Sequence, residues 1–207
     1  MLENIKQQEI ILKILKETDQ ICSISEINDE TIAFFRDNVR KNIFVLQEDL
    51  MENHSKTSIK YIVLPLIAYI DEKIMFKYRN QNNDFIWNLL QTEIYDISNA
   101  GEYVFEIIDN ILSDDLYPQI CYEVIFFILD GGFVGKYYEK NHDHNYISYN
   151  KKINKIIQKH NTENDLSFTD ASKEIQPDKQ SKKYWPTIFK ILIPAALFGI
   201  SIWVFTH

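Results

Sequence analysis

Long stretches with a helical period, interrupted by very few glycines, are the feature that most limits what this chain can fold into. One stripe of apolar residues advances in steps of three and four, which is the spacing of a helix face that packs in a bundle. The stripe consists of Ile32, Phe35, Val39, Ile43, Leu46 and Leu50. The 207 residues include only five glycines, and three of them fall within positions 131–135. Because so few positions break the pattern, the sequence predicts an all-α fold.

Capping residues and apolar runs predict seven helices. The first three are placed at 2–17, from a cap within 23–28 to about 53, and at 58–79. Asp84 is predicted to cap a short fourth helix that contains Phe85, Ile86 and Trp87, and Asn99 to cap a fifth at 101–112. The last two are placed at 119–129 and 146–160. The third contains the run YIVLPLIAYI and is predicted to pass through the core. Gly131 and Gly132 are predicted to end the sixth, with Phe133 turning back into the core.

The most apolar part of the chain lies at residues 185–206, which read WPTIFKILIPAALFGISIWVFT. A helix needs about 20 mostly apolar residues to cross a bilayer. Trp185 and Trp203 lie near its two ends, where aromatic belts form, and Lys182 and Lys183 precede it. We therefore predict a C-terminal transmembrane anchor, with a buried C-terminal core helix as the alternative. The preceding lysines predict that the N-terminal side is cytoplasmic and the C-terminus periplasmic.

Three segments are therefore predicted: a helical domain at 1–160, a polar linker at 161–184 and the anchor at 185–206. The N-terminus resembles no signal peptide. Cys22 and Cys121 are the two cysteines and indicate a reducing compartment rather than a disulfide framework. The formal net charge of -8 argues against nucleic acid as a main partner. It also argues against a domain that lies flat on anionic lipid.

An acidic pair, Asp71 and Glu72, follows the apolar run of the third helix. Adjacent helix residues point about 100° apart, so the two carboxylates cannot both face one buried point. The hypothesis is that one faces a groove while the other pairs with a base. The alternative is an exposed helix face with Lys73 and Lys77 nearby. No histidine or serine is placed to complete a general acid–base pair, so we predict no catalytic residue.

His142, Asp143 and His144 are the only other candidate ligand cluster. Zinc accepts such residues, but an H-x-H spacing without a second cluster is a weak signal, and an exposed loop is the preferred interpretation. The sequence contains no nucleophile elbow and no H-E-x-x-H. We therefore predict a protein that is not an enzyme and holds no cofactor or metal. A metal-binding protein that uses these histidines stays open as an alternative.

Five sequence features occur in an order that is typical of one family. They are Ile70-Asp71-Glu72, then Trp87, then Gly101-Glu102-Tyr103-Val104-Phe105, then Glu123 in an apolar helix, then Gly132-Phe133-Val134-Gly135-Lys136-Tyr137. With the apolar C-terminal segment, this order resembles the DotU/IcmH/TssL family. The family comprises inner-membrane accessory proteins of type VI secretion systems and of the related type IVB systems.

The resemblance implies an all-helical cytoplasmic domain of two small bundles with a cleft, which forms homodimers at the inner membrane. It implies as partners a large IcmF/TssM-like inner-membrane protein and baseplate subunits such as TssK. Asp71 and Glu72 are implied to lie at the cleft and to contact these partners. A structural role is implied for Trp87, Gly101, Glu102, Gly132, Phe133, Gly135 and Tyr137.

Three further expectations complete this prediction. The short N-terminus favours a type VI over a type IVB protein, and no wall-binding extension is expected after the anchor. Exchange of both Asp71 and Glu72 for lysine is expected to leave the fold intact but to weaken partner capture. An unrelated tail-anchored adaptor remains the alternative to a secretion subunit.

Overall fold

The structure is a computed structural model that describes residues 2–25, 27–79, 87–114, 116–138 and 144–171. Within these ranges it contains seven α-helices and one short 3-10 helix but no strand, which confirms the all-α prediction. The α-helices are α1 (Leu2–Ser23), α2 (Asp29–Met51), α3 (Lys56–Arg79), α4 (Leu90–Tyr95), α5 (Ala100–Ser113), α6 (Gln119–Asp130) and α7 (His144–Ala171). The 3-10 helix is Gly135–Tyr137.

Two predicted helix boundaries differ from the structure. The predicted short helix around Trp87 is wrong at that residue, because Trp87 lies in an irregular segment and α4 begins only at Leu90. Its proposed cap, Asp84, lies outside the described residues. Helix α7 continues to Ala171 instead of ending at His160, so the first part of the predicted polar linker is helical.

The predicted anchor falls outside the described part of the chain, together with Lys182, Lys183, Trp185 and Trp203. None of the helices in the described ranges combines the length and the apolar character that crossing a bilayer requires. The anchor therefore stays a prediction. The chain divides into two units, Met1–Glu163 and Asn164–His207. The core belongs to the first unit, whose division into two small bundles also stays a prediction.

Helix α2 begins where the sequence predicts a cap. The Asn28 side chain accepts a hydrogen bond from the Thr31 backbone N–H at 2.8 Å, which satisfies one of the free donors of the first turn. Asp29 and Glu30 in that turn complement the positive end of the helix dipole. All six apolar residues of the predicted stripe are buried, which confirms the periodicity argument.

Helix α3 lies at the centre of the core. Every residue from 62 to 70 is buried, and α3 contacts α1, α2, α4, α5 and α6. A helix that is surrounded by other helices must be apolar on all sides, which is why YIVLPLIAYI lacks the polar face seen in α2. Since Asp71 and Glu72 follow this run directly, their side chains start from the helix at the centre of the core.

The end of α6 forms the turn that the two glycines predict. Gly132 has φ +88°, the left-handed conformation that glycine adopts at low cost. The Phe133 N–H donates to the Ile128 carbonyl at 2.9 Å, and the Gly132 N–H donates to the Leu129 carbonyl at 3.1 Å. These two bonds define a Schellman motif. Phe133 is buried after the turn, as predicted.

Candidate functional site

An open cleft of about 560 Å³ lies beside the C-terminal half of α3. Its walls come from α3, the segment before α4, the start of α5 and the turn after α6. The lining residues are Ala68, Asp71, Glu72, Met75, Phe76, Trp87, Gln91, Gly101, Phe133, Gly135 and Tyr138. Apolar and aromatic side chains dominate, and two carboxylates lie among them. Six residues that the sequence singled out therefore line the cleft: Asp71, Glu72, Trp87, Gly101, Phe133 and Gly135.

Asp71 holds the start of α4. Its carboxylate is 1% exposed and accepts hydrogen bonds from Trp87 Nε1 at 2.7 Å and from the backbone N–H groups of Leu90 and Gln91 at 3.0 Å each. The N-cap residue of α4 is Leu89, which has no side-chain acceptor for these donors. A carboxylate of α3 thus caps a neighbouring helix that cannot cap itself.

Gln91 extends this arrangement to the next helix. Its buried side-chain oxygen, Oε1, accepts a hydrogen bond from the Ala100 N–H at 2.7 Å, the first residue of α5. Asn99 occupies the predicted cap position of α5, yet its side chain forms no capping bond. The start of α5 is therefore positioned by a residue of α4, which Asp71 positions in turn.

Glu72 holds the turn after α6. Its two carboxylate oxygens accept hydrogen bonds from the backbone N–H groups of Val134, at 2.9 Å, and Gly135, at 2.7 Å. The neighbouring carboxylates therefore point to different segments, as their positions on the helix predict. Among the described residues, the hydrogen-bond donors to both carboxylates are N–H groups of the backbone and of an indole. Lys73 acts on Glu72 only through charge, so the pairing of one carboxylate with a base stays a prediction.

Gly101 and Gly135 close the arrangement because their backbones touch. A Cβ atom on Gly135 would lie 2.5 Å from the Gly101 carbonyl oxygen, and a Cβ on Gly101 would lie 3.2 Å from the Gly135 Cα. Gly135 also has φ +46°. Asp71, Glu72 and Gln91 accept hydrogen bonds from N–H groups of neighbouring segments. We call these three residues, their N–H donors and the contact between Gly101 and Gly135 the Asp71–Glu72 network. It joins α3, α4, α5 and the turn after α6.

Aromatic contacts surround the network. The Trp87 ring lies 6.4 Å from Phe35, and the Arg36 guanidinium lies 4.8 Å above it. On the other side, the Phe105 ring lies 6.1 Å from Phe133 and meets Tyr137 edge-on at 4.8 Å. Both aromatic groups pack directly beside the segments that Asp71 and Glu72 hold.

Two further residues of the predicted set, Glu102 and Gly132, are exposed. Glu102 lies in the first turn of α5, and Gly132 lies within the Schellman turn. His144 is exposed at the start of α7, whereas His142 and Asp143 lie outside the described residues. Among the residues that the structure describes, no group of three or more His, Cys, Asp and Glu side chains is placed to hold a metal ion.

Burial raises the pKa of both Asp71 and Glu72, although the N–H donors oppose this effect by favouring the charged forms. A raised pKa means that the folded chain binds the proton more tightly than the unfolded chain does. The stability that such a carboxyl group contributes is therefore complete below its ordinary pKa and is lost as the pH rises through the raised pKa.

The upward shift of the Glu72 pKa predicts how stability depends on pH. We expect the free energy of unfolding of the native chain, relative to that of Glu72→Gln, to decrease as the pH rises above the ordinary glutamate pKa of 4.5. Urea unfolding of both chains at a series of pH values between acidic and neutral measures the difference. If the difference in the free energy of unfolding between the two chains stays constant or increases with pH, the pKa of Glu72 is not raised.

The exposed apolar surface of the cleft comes from residues outside the network. Both carboxylates already accept two or three hydrogen bonds from N–H groups. Met75 and Tyr138, by contrast, line the cleft and are 52% and 48% exposed. The sequence did not single out these two residues or Gln91, because a methionine, a tyrosine and a glutamine carry no signal of their own in a helical pattern.

Comparisons with known proteins identify the family. A family model described as type VI secretion system protein DotU matches residues 13–207. The solved structure of DotU from Francisella novicida is 48% identical, has a TM-score of 0.72, and covers 75% of this chain and 99% of that chain. No curated protein matches the chain. The match over nearly all of the sequence and the similar structure lead to one conclusion: the chain belongs to the DotU family of type VI secretion system proteins.

Proposed function

We propose that this protein is a structural subunit of a type VI secretion membrane complex. Its N-terminal domain is cytoplasmic and docks an IcmF/TssM-like subunit and baseplate components such as TssK through the cleft. Residues 185–206 hold it at the inner membrane as a single transmembrane helix, where the protein forms a homodimer. The observation that carries the proposal is a cleft with exposed apolar side chains in a chain of this family.

The cleft has the properties of a preformed binding surface. The Asp71–Glu72 network fixes the segments on both sides of it, so a partner does not have to order them on binding. Met75 supplies a flexible apolar contact, and Tyr138, whose ring lies 5.0 Å from Phe76, supplies a rigid one. Tyrosine is enriched among the residues that dominate binding energies at protein interfaces, and both tyrosine and methionine are enriched at such interfaces. Attachment to the membrane would add effective concentration at the assembly site.

A charge placed in the cleft is expected to weaken partner capture. Met75→Glu introduces a carboxylate at an exposed position and removes an apolar contact, so we expect a loss of affinity of at least roughly ten-fold with the fold unchanged. Copurification of partners from detergent-solubilised membranes, quantified by mass spectrometry, measures the loss. Met51→Glu is the matched control, because Met51 is 66% exposed and does not line the cleft. Equal recovery of partners with both variants would contradict the assignment of the cleft.

The structure also revises the earlier expectation for a double lysine exchange at Asp71 and Glu72. Asp71 is buried, and both carboxylates hold backbone donors from other segments. Two lysine ammonium groups would leave these donors without acceptors and would add buried positive charge. We therefore expect that exchange to unfold the domain, so a loss of capture by this variant would not identify a contact.

A further inference from the structure

Helix α7 has one strongly basic face. Four lysines lie within about 100° of the helix circumference, because residues spaced by three and four share a helix face. They are the exposed side chains Lys151, Lys152, Lys155 and Lys159. The other side of the helix packs on the domain, with Tyr149 and Ile153 buried. Tyr149 Oη also donates to Asp109 Oδ1 at 2.8 Å. Contacts with the core therefore fix the direction in which the lysines point.

The charge of this face is opposite to that of the chain. Residues 144–160 of α7 contain four lysines and no aspartate or glutamate, and the helix's acidic residues, Glu163, Asp165 and Asp170, all follow this part; the whole chain has a formal net charge of -8. The expectation that the domain avoids anionic lipid rested on this total charge. Attraction over a Debye length of about 8 Å depends on the local charge instead. The total charge therefore does not decide how this face behaves.

We propose that the lysine face of α7 (Lys151, Lys152, Lys155 and Lys159) binds the anionic phosphate headgroups of the bilayer in which the C-terminal segment is anchored. The inference rests on the proposed anchor at residues 185–206. Helix α7 is the last described element before that segment, and residues 172–184 cover at most about 45 Å even when fully extended. About 18 Å of helix separates Lys159 from Ala171, so the anchor would keep Lys159 within roughly 65 Å of the bilayer surface, a distance from which the face can reach it.

The chemistry of the face favours lipid over a protein partner. Lysine ammonium groups are compact point charges that do not impose the fixed geometry of an arginine pair, and they suit mobile phosphates on a fluid surface. Each basic residue close to an anionic leaflet strengthens binding by roughly five-fold. Bound in this way, α7 would fix how the domain and its cleft face the membrane.

The test uses the full chain reconstituted in vesicles of phosphatidylcholine, with or without phosphatidylglycerol. A membrane-impermeant amine-reactive ester is applied, and labelling is read for each lysine by mass spectrometry. We expect labelling of Lys151, Lys152 and Lys155 to be several-fold lower on the anionic vesicles, and high salt to restore it. Three exposed lysines of other helices, Lys16, Lys41 and Lys56, are the internal controls and should label equally on both vesicles.

Each other outcome overturns a separate claim. If carbonate washing removes the chain from both kinds of vesicle, the proposed anchor is wrong, and the inference about α7 fails with it. If the chain stays bound but its α7 lysines label equally on both vesicles, the anchor stands and the lipid contact is wrong. If the labelling of these lysines is as low on neutral vesicles and in detergent as it is on anionic vesicles, a protein surface covers them. That result also rules out the lipid contact.

Discussion

Exchange of Asp71 for asparagine is expected to lower the free energy of unfolding by about 3 kcal/mol. The aspartate accepts hydrogen bonds at both oxygens, from Trp87 and Leu90 at Oδ1 and from Gln91 at Oδ2. Asparagine has the same shape but only one acceptor oxygen, so its NH₂ group must face an N–H donor in either orientation. Because the site is 1% exposed, water cannot replace the lost acceptor.

Urea unfolding measures this loss, and a melting temperature lower by about 10 °C is the corresponding thermal result for a domain of this size. Asp37→Asn is the matched control, because the Asp37 side chain is 76% exposed and forms a surface ion pair with Arg40 at 3.7 Å. The same chemical change there is expected to alter stability by less than about 0.5 kcal/mol. Equal stabilities of the two variants would show that Asp71 does not hold α4.

Trp87 offers a second measurement that a general loss of stability would not explain. Its indole N–H donates to Asp71, and the chain has two other tryptophans, Trp185 and Trp203. With both replaced by phenylalanine, Trp87 is the only tryptophan that emits. We expect Asp71→Asn to shift its emission under conditions in which the chain is still folded, because the charged acceptor beside the indole is lost. Unchanged emission would mean that the indole and the carboxylate are not in contact.

The sequence predicted the helices and their buried faces because local rules determine them. The stripe of α2, the Asn28 cap and the turn of Phe133 each depend on residues within a few positions of one another. The helix assignment of Trp87 is wrong for the same reason. Its apolar residues look helical locally, but Trp87 is held instead by a carboxylate 16 residues earlier in the chain.

The contacts of the acidic pair could not be predicted from local pattern. Glu72 and Gly135 are 63 residues apart, and a helical period says nothing about which distant N–H groups need an acceptor. The order of motifs pointed to the family without giving their common physical basis. The structure supplies it, because Asp71 binds the Trp87 segment, Gln91 binds the start of α5, and Gly101 touches Gly135. Four of the five sequence features therefore contribute residues to one network that shapes the cleft, whereas Glu123 accepts hydrogen bonds from Gln8 and Gln119 instead.

The glycine contact gives the second large effect, an expected loss of about 4 kcal/mol in the free energy of unfolding for Gly135→Ala. An alanine at φ +46° costs about 1 kcal/mol in backbone conformation. Its Cβ would also lie 2.5 Å from the Gly101 carbonyl oxygen and close to the rings of Phe133 and Phe105. Since both backbones are held, the turn must move, and the hydrogen bond from the Gly135 N–H to Glu72 is expected to break.

Gly132→Ala separates the cost of backbone strain from the cost of the steric contact. Gly132 also has a positive φ, +88°, but a Cβ there would meet nothing within 4 Å. Its substitution should therefore cost only the backbone strain, about 1 kcal/mol. Urea unfolding of the two variants measures the difference between their free energies of unfolding. That difference is the cost of placing a Cβ atom where Gly101 and Gly135 touch. If the two alanines cost the same, the contact does not constrain the turn, and the cleft wall at Gly135 is held by Glu72 without help from α5.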